Sequence, residues 1–164
     1  MITAKDIMTT EVITISPEAK VTEAARKLLE HRINGLPVVD ENGRLVGIIC
    51  RSDLIAQQKR IPLPSLFNLL DSFIPMGSFK NYEKEMEKIA AITVAQAMTP
   101  GPVTVGIEDS LEKIAGLMVD KNLHTIPVLR YGKLVGIIGK EDVLQTLMSR
   151  EVVEQVQERR TRSQ

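Results

Sequence analysis

The hydrophobic pattern of this 164-residue chain is written twice. Val21, Ala24, Ala25, Leu28 and Leu29 form an apolar stripe at helical spacing, and Leu111, Ile114, Ala115, Met118 and Val119 repeat it position for position. In the first copy the pattern predicts a short strand over Val12–Ile15, a polar turn at Ser16-Pro17-Glu18 and a helix over Val21–Glu30. A strand over Leu36–Val39 and an antiparallel return over Leu45–Ile49 come next, and a second helix starts near Ser52-Asp53. Asn42-Gly43 is a tight-hairpin signal because both residues tolerate positive φ; Tyr131-Gly132 makes the same turn less ideally in the second copy. The strand runs are continuously apolar rather than alternating, the pattern of strands covered on both faces.

Setting Met8-Thr9 on Met98-Thr99 aligns Thr14 with Thr104, Glu18 with Glu108, Ala25 with Ala115 and Pro37-Val38 with Pro127-Val128. A one-residue shortening in the following turn then brings Gly47 onto Gly136 and Asp53 onto Asp142. Each copy closes on the same device, Gly47-Ile48-Ile49-Cys50-Arg51-Ser52-Asp53-Leu54 and Gly136-Ile137-Ile138-Gly139-Lys140-Glu141-Asp142-Val143. An apolar strand ends, a polar turn succeeds it, and a helix starts with a carboxylate in its first turn. The fold class this predicts is mixed α+β: two βαββα repeats, each too small to bury a sufficient core alone, packed about a pseudo-twofold axis. The repeats span 1–59 and 93–149, with an insert at 60–92 and a charged tail at 150–164.

Pro62 and Pro64 stop the helix before the insert, since proline lacks the donor a helix interior needs. Leu63, Leu66, Phe67, Leu69, Leu70, Phe73 and Ile74 form an apolar cluster beyond them, broken by Pro75-Met76-Gly77, and Tyr82–Ala91 reads as a charged helix. Two readings of the cluster stand: cover for the core, or an interface for a second subunit or partner.

Composition narrows the function. Lys and Arg number 21, as do Asp and Glu, so no global field holds nucleic acid or an anionic membrane. Scarce aromatics and the absence of Trp disfavour base-stacking platforms. The single Cys50 excludes an internal disulfide and fits a reducing interior, as a buried filler rather than a redox sensor. Residues 1–20 lack a basic start followed by an apolar run, and the longest apolar runs are too short to span a bilayer, which predicts a soluble cytoplasmic protein. The two His residues have no metal-type spacing, and the Gly residues fall in hairpins and strand ends rather than in a phosphate-cradling loop. No nucleophile or acid–base pair stands beside an orienting partner, so the chain reads as non-catalytic, with no cofactor required.

With its repeats laid out, the chain resembles a tandem pair of CBS domains (cystathionine beta-synthase domains), often called a Bateman module. The resemblance covers both repeats and rests on the Met-Thr start, the apolar-Pro-Val strand and Gly-Ile-Ile-x-x-x-Asp, in order, twice. It implies one globular unit with two symmetry-related clefts that take AMP, ADP, ATP or S-adenosylmethionine, a disc-like homodimer of four repeats, and a regulated protein supplied in trans. It implies Asp142 for the ribose hydroxyls of one cleft, with Ile13, Ile33 and Ile137 facing adenine, Asn34 near the phosphate end and Gly139 at the strand end. For the other it implies Asp53 for ribose, Val103, Leu123 and Ile48 for adenine, and His124, Ser52 and Cys50 toward phosphate. The family usually has Ser or Thr where this chain has Cys50 and Gly139, so each cleft lacks a hydroxyl. Glu141 stands where a small hydroxyl residue often sits and opposes multiply phosphorylated ligands.

A carboxylate can accept two hydrogen bonds from a ribose diol, and in a helix's first turn it is favoured by the dipole. The competing reading is that Asp53 and Asp142 are ordinary helix-start residues, with clefts unoccupied and the module structural or oligomerising. His124 divides in the same way between phosphate contact and structural hydrogen-bonder.

Overall fold

Where an apolar stripe at helical spacing meets a continuous apolar run, the chain folds into a helix laid on a hairpin, and it does so twice. The computed structural model describes residues 1–59, 83–84, 87–88 and 90–149. The apolar cluster of the insert, part of the charged helix read over Tyr82–Ala91, and the tail lie outside the described residues. Two compact units divide the chain, Ile13–Gly101 and Met1–Val12 together with the chain from Pro102. The fold is mixed α+β, with a three-stranded sheet in each unit.

In the Ile13–Gly101 unit, α2 (Val21–Glu30) precedes β1 (Gly35–Val39), β2 (Leu45–Cys50) and α3 (Arg51–Gln58). The other unit repeats this with β4 (Val105–Gly106), α5 (Leu111–Asp120), β5 (Thr125–Arg130), β6 (Lys133–Gly139) and a helix, α6, that begins at 140 and is described to 149. Short helices α1 (Ala4–Ile7) and α4 (Val94–Ala97) precede the two Met-Thr pairs, and β3 (Thr99–Pro100) comes after α4. Leu28, Leu36, Val38 and Ile49 are fully buried in one core, and Ile114, Ile126, Val128 and Ile138 in the other. Both faces of β1 and β5 are covered, as their unbroken apolar runs require.

Each Met-Thr segment serves the hairpin of the other repeat. Thr9 exchanges backbone hydrogen bonds with Ile137 at 2.9 and 3.0 Å, and Thr99 pairs antiparallel with Ile48 on β2. The glycines at those hairpins make room for the methionines. A Cβ on Gly47 would overlap the Met98 Sδ, and one on Gly136 the Met8 Sδ.

Three expectations are corrected. The strand over Val12–Ile15 shrinks to one parallel bridge, Ile15 to Val38. Ile15 donates to Pro37 and accepts from Val39, but the next donor in a parallel ladder falls at Pro17, which has none. Ile107 has the donor at the matching position, and there β4 pairs with β5 over two residues. The two-residue turn belongs to the second hairpin instead of the first: Tyr131 and Gly132 have φ of 50° and 76°, flanked by the Arg130–Lys133 pair. In the first hairpin only Gly43 has positive φ, because the Asp40 carboxylate draws in the Asn42 and Arg44 N–H groups at 2.9 Å and makes a longer loop. Finally, Leu29 and Val119 are 68% and 78% exposed. At about 100° per residue they lie at the edge of the arc that Val21, Ala24 and Leu28, or Leu111, Ile114 and Met118, turn inward.

Candidate functional site

In each unit the hairpin runs straight into the helix that carries the carboxylate, so strand register fixes where the carboxylate stands. On β1 and β2 the pairing ends at Gly35–Cys50, and the next N–H, of Arg51, donates to the Asn34 carbonyl at 3.1 Å. Cys50 is extended and caps α3. Asp53, three residues on, turns back so that Oδ2 accepts the Cys50 N–H at 2.7 Å. On β5 and β6 the same construction recurs: Thr125 pairs with Gly139, the Lys140 N–H donates to the His124 carbonyl at 3.1 Å, and Asp142 Oδ2 accepts the Gly139 N–H at 2.7 Å.

One oxygen of each aspartate is therefore spent on the helix start, as the ordinary structural reading holds. An ionised carboxylate offers about four acceptor positions. Oδ1 of Asp53 and of Asp142 accepts no hydrogen bond among the described residues. Both side chains are half-buried, held in one rotamer by the short bond, and left with acceptor capacity. Burial pushes the Asp53 carboxyl above its ordinary value, an effect the Cys50 N–H partly opposes. Burial, with the Asp53 charge adding to it, pushes the Cys50 thiol up to about 11, so at neutral pH it is a protonated, unreactive group.

The structure brings Ile33, Asn34, Ile48, Cys50, Ser52 and Asp53 to one end of the Ile13–Gly101 hairpin, with Ile13 packed on the same core. Leu123, His124, Ile137, Gly139 and Asp142 gather equivalently in the other unit, where Val103 precedes β4. Ile48 is buried, Ile137 half-buried, and Ser52 and His124 exposed. The sets drawn from the family resemblance, Ile13, Ile33 and Asn34 with Asp142, and Val103, Leu123 and His124 with Asp53, each take members from both units. Among the described residues no group of three or more His, Cys, Asp and Glu side chains is placed to hold a metal ion.

Arg51 is the residue that sequence reasoning missed. Its Nε donates to the Ile33 carbonyl at 2.9 Å and its Nη2 to the Leu28 carbonyl at 3.3 Å. A guanidinium thus closes the carbonyl end of α2 and ties it to the start of α3. The available signal was an arginine immediately ahead of the Ser-Asp pair.

The family model described as the CBS domain matches residues 4–59 and 94–149. The chain is 32% identical over 139 residues to CBSX1, a chloroplastic CBS domain-containing protein of Arabidopsis thaliana, covering 82% of this chain and 58% of that protein. The crystal structure of CBSX2 of the same plant in complex with AMP is similar at a TM-score of 0.68 and 28% identity, over 91% of this chain and 98% of that one. The CBS domain pair of protein MJ0100, crystallised with 5′-methylthioadenosine and S-adenosyl-L-methionine, is similar at 0.69 and 27%, again over 91% and 98%.

Proposed function

Because the chain belongs to the CBS-domain family, we propose that it is a non-catalytic regulatory module that binds adenosyl ligands, using Asp53 at one site and Asp142 at another for the ribose hydroxyls. The observation that carries this reading is the repeated one: two aspartates, each fixed by a 2.7 Å bond to the strand end and each retaining acceptor capacity. Half-buried Ile33 in one unit, and half-buried Leu123 and Ile137 in the other, offer adenine an apolar surface nearby. AMP and S-adenosylmethionine, bound by similar domain pairs, head the candidates, with ADP and ATP after them. Ligand acts by favouring one arrangement of the chain over another, and the shift equals its differential affinity for the two. The output passes to a regulated protein in the cytoplasm.

The exposed Leu29, Ile55, Val119, Leu144, Leu147 and Met148 support self-association into a dimer of four repeats. Among the described residues no helix is long and apolar enough to cross a membrane. A second reading, a structural module with empty sites, draws on the missing hydroxyls at Cys50 and Gly139 and on the capping bonds of the aspartates.

Thermal melting with AMP, ADP, ATP and S-adenosylmethionine separates the two. A ligand at 100 times its Kd stabilises by about 2.7 kcal/mol. Asp53→Ala and Asp142→Ala should each remove part of the shift. Midpoints unmoved by every ligand favour the structural module.

A further inference from the structure

The first repeat contains the same reactive pair twice, Asn34-Gly35 and Asn42-Gly43, and the fold treats the two differently. The side-chain amide of an asparagine can be attacked by the backbone nitrogen of the residue after it. Glycine in that place leaves the nitrogen unshielded, because it has no Cβ. Asn34 is half-buried, and its carbonyl accepts the Arg51 N–H at 3.1 Å. Gly35 is buried and held in register with Cys50 at the start of β1, which shields its nitrogen from solvent base. Asn42 and Gly43 are exposed at the end of the β1–β2 hairpin. Beyond the chain neighbours of Gly43, no atom lies within 4 Å of where its Cβ would stand.

Asp40 organises that hairpin end. Its carboxylate accepts the Asn42 and Arg44 N–H groups, each at 2.9 Å, and its carbonyl accepts the Gly43 N–H at 3.0 Å. We propose that Asn42 is a site of spontaneous deamidation to aspartate and isoaspartate, that Asp40 slows the reaction, and that the fold protects Asn34. The Gly43 nitrogen gives its proton to a solvent base and bonds to the side-chain carbonyl carbon of Asn42. The amide nitrogen leaves as ammonia, and a cyclic imide remains. Water opens the ring at either carbonyl, so the balance is water taken up and ammonia released, with no oxidation or reduction. A nitrogen whose proton is held by a carbonyl must first be freed by local opening of the loop. The Asp40 charge also disfavours a negative charge developing on that nitrogen. The product sets a new carboxylate beside Asp40 and Glu41, and in isoaspartate the backbone runs through the former side chain. An aged molecule therefore presents a more acidic hairpin end than a new one.

Peptide mapping by mass spectrometry tests this on the full chain, held at mildly alkaline pH in native buffer and in urea. In urea the two asparagines should react at similar rates. In native buffer Asn42 should react at least about tenfold faster than Asn34, the ratio set by the fold's resistance to opening at β1. Asp40→Ala should speed Asn42 by about tenfold in the folded chain, since it removes two backbone hydrogen bonds from the loop. Asn34 in the same sample should keep its rate, which separates release of the loop from general unfolding. Equal rates at Asn34 and Asn42 in native buffer overturn the assignment of the site. A rise at both asparagines alike in Asp40→Ala protein, or none at Asn42, overturns the role given to Asp40.

Discussion

The thioether of Met98 fills the space that a side chain on Gly47 would need, and the carbonyl oxygen of Thr99 would stand 3.0 Å from that side chain's first carbon. Gly136 faces Met8 in the same way, but there every close atom belongs to the methionine side chain, with Cγ at 2.9 Å. A flexible side chain yields more easily than a paired backbone. Gly47→Ala should therefore cost about 1–3 kcal/mol as an overpacking change, and Gly136→Ala less. The second loss should be relieved by adding Met8→Ala. Denaturant midpoints for the three variants check the order, and equal losses at Gly47 and Gly136 contradict it.

Asp53 and Asp109 should respond to pH in opposite directions. Burial raises the Asp53 carboxyl above the 3.8 of a free side chain, so the folded protein binds this proton more readily than the unfolded chain. Its contribution to stability therefore grows as pH falls through the raised value and is lost as pH rises. Lys113 and the Gly106 N–H lower Asp109, whose contribution is present above the ordinary value and lost as pH falls through the lowered one. Ligand held by ionised Asp53 should accordingly weaken in acid before ordinary aspartates have titrated. Carboxyl carbon NMR gives both midpoints; an Asp53 midpoint at or below 3.8 refutes the first half.

The thiol of Cys50, pushed up to about 11, is ionised in only about one molecule in a thousand at pH 8. Iodoacetamide should label it far more slowly in the folded chain than in urea. Cys50→Ser should supply the missing hydroxyl and a better helix cap, worth about 0.5–1 kcal/mol, without disturbing the Asp53 bond. Gly139→Ser has room too, since its Cβ would meet Asp142 Oδ2 at an ordinary 3.6 Å. Both changes should tighten AMP binding; weaker binding in both would argue against a ligand beside these strand ends.

Deleting residues 1–12 should damage the unit they share with the chain from Pro102 onward, while the Ile13–Gly101 core keeps its protection. The deletion removes fully buried Ala4, Met8 over Gly136 and the paired hydrogen bonds between Thr9 and Ile137. Amide exchange should then rise in β5 and β6 with β1 and β2 little changed.

Much of this arrangement is legible in the sequence. The stripes at Val21 and Leu111 carry a helical period, the strands around Pro37 and Pro127 are apolar without a break, and the aspartates stand beyond them at matched spacing. What escaped was encoded without a period. A pairing segment as short as Thr99-Pro100 shows no alternation, and its partner is distant in sequence. The small helix starts were signalled by Thr3 ahead of Asp6 and Thr93 ahead of Gln96, where the side chain three residues on accepts the threonine N–H at 2.8 and 2.9 Å. Asn42-Gly43 misled because the Asp40 side chain, two residues away, decides that loop. Arg51 escaped because its partners are backbone carbonyls, which no residue pattern displays.

The pairing of residues 1–12 with the chain beyond Pro102 also sets a timetable. During synthesis the ribosome releases the contiguous stretch from Ile13 to Gly101 in one piece, and every described residue of that unit's core lies within it. The dozen residues made before it must wait, with Ile7 and Met8 unsheltered, until β5 and β6 emerge. The core of the Ile13–Gly101 unit thus has all its described residues synthesised before that of the other unit does, and a chaperone that meets the chain between those moments will find Ile7 and Met8 without their partners.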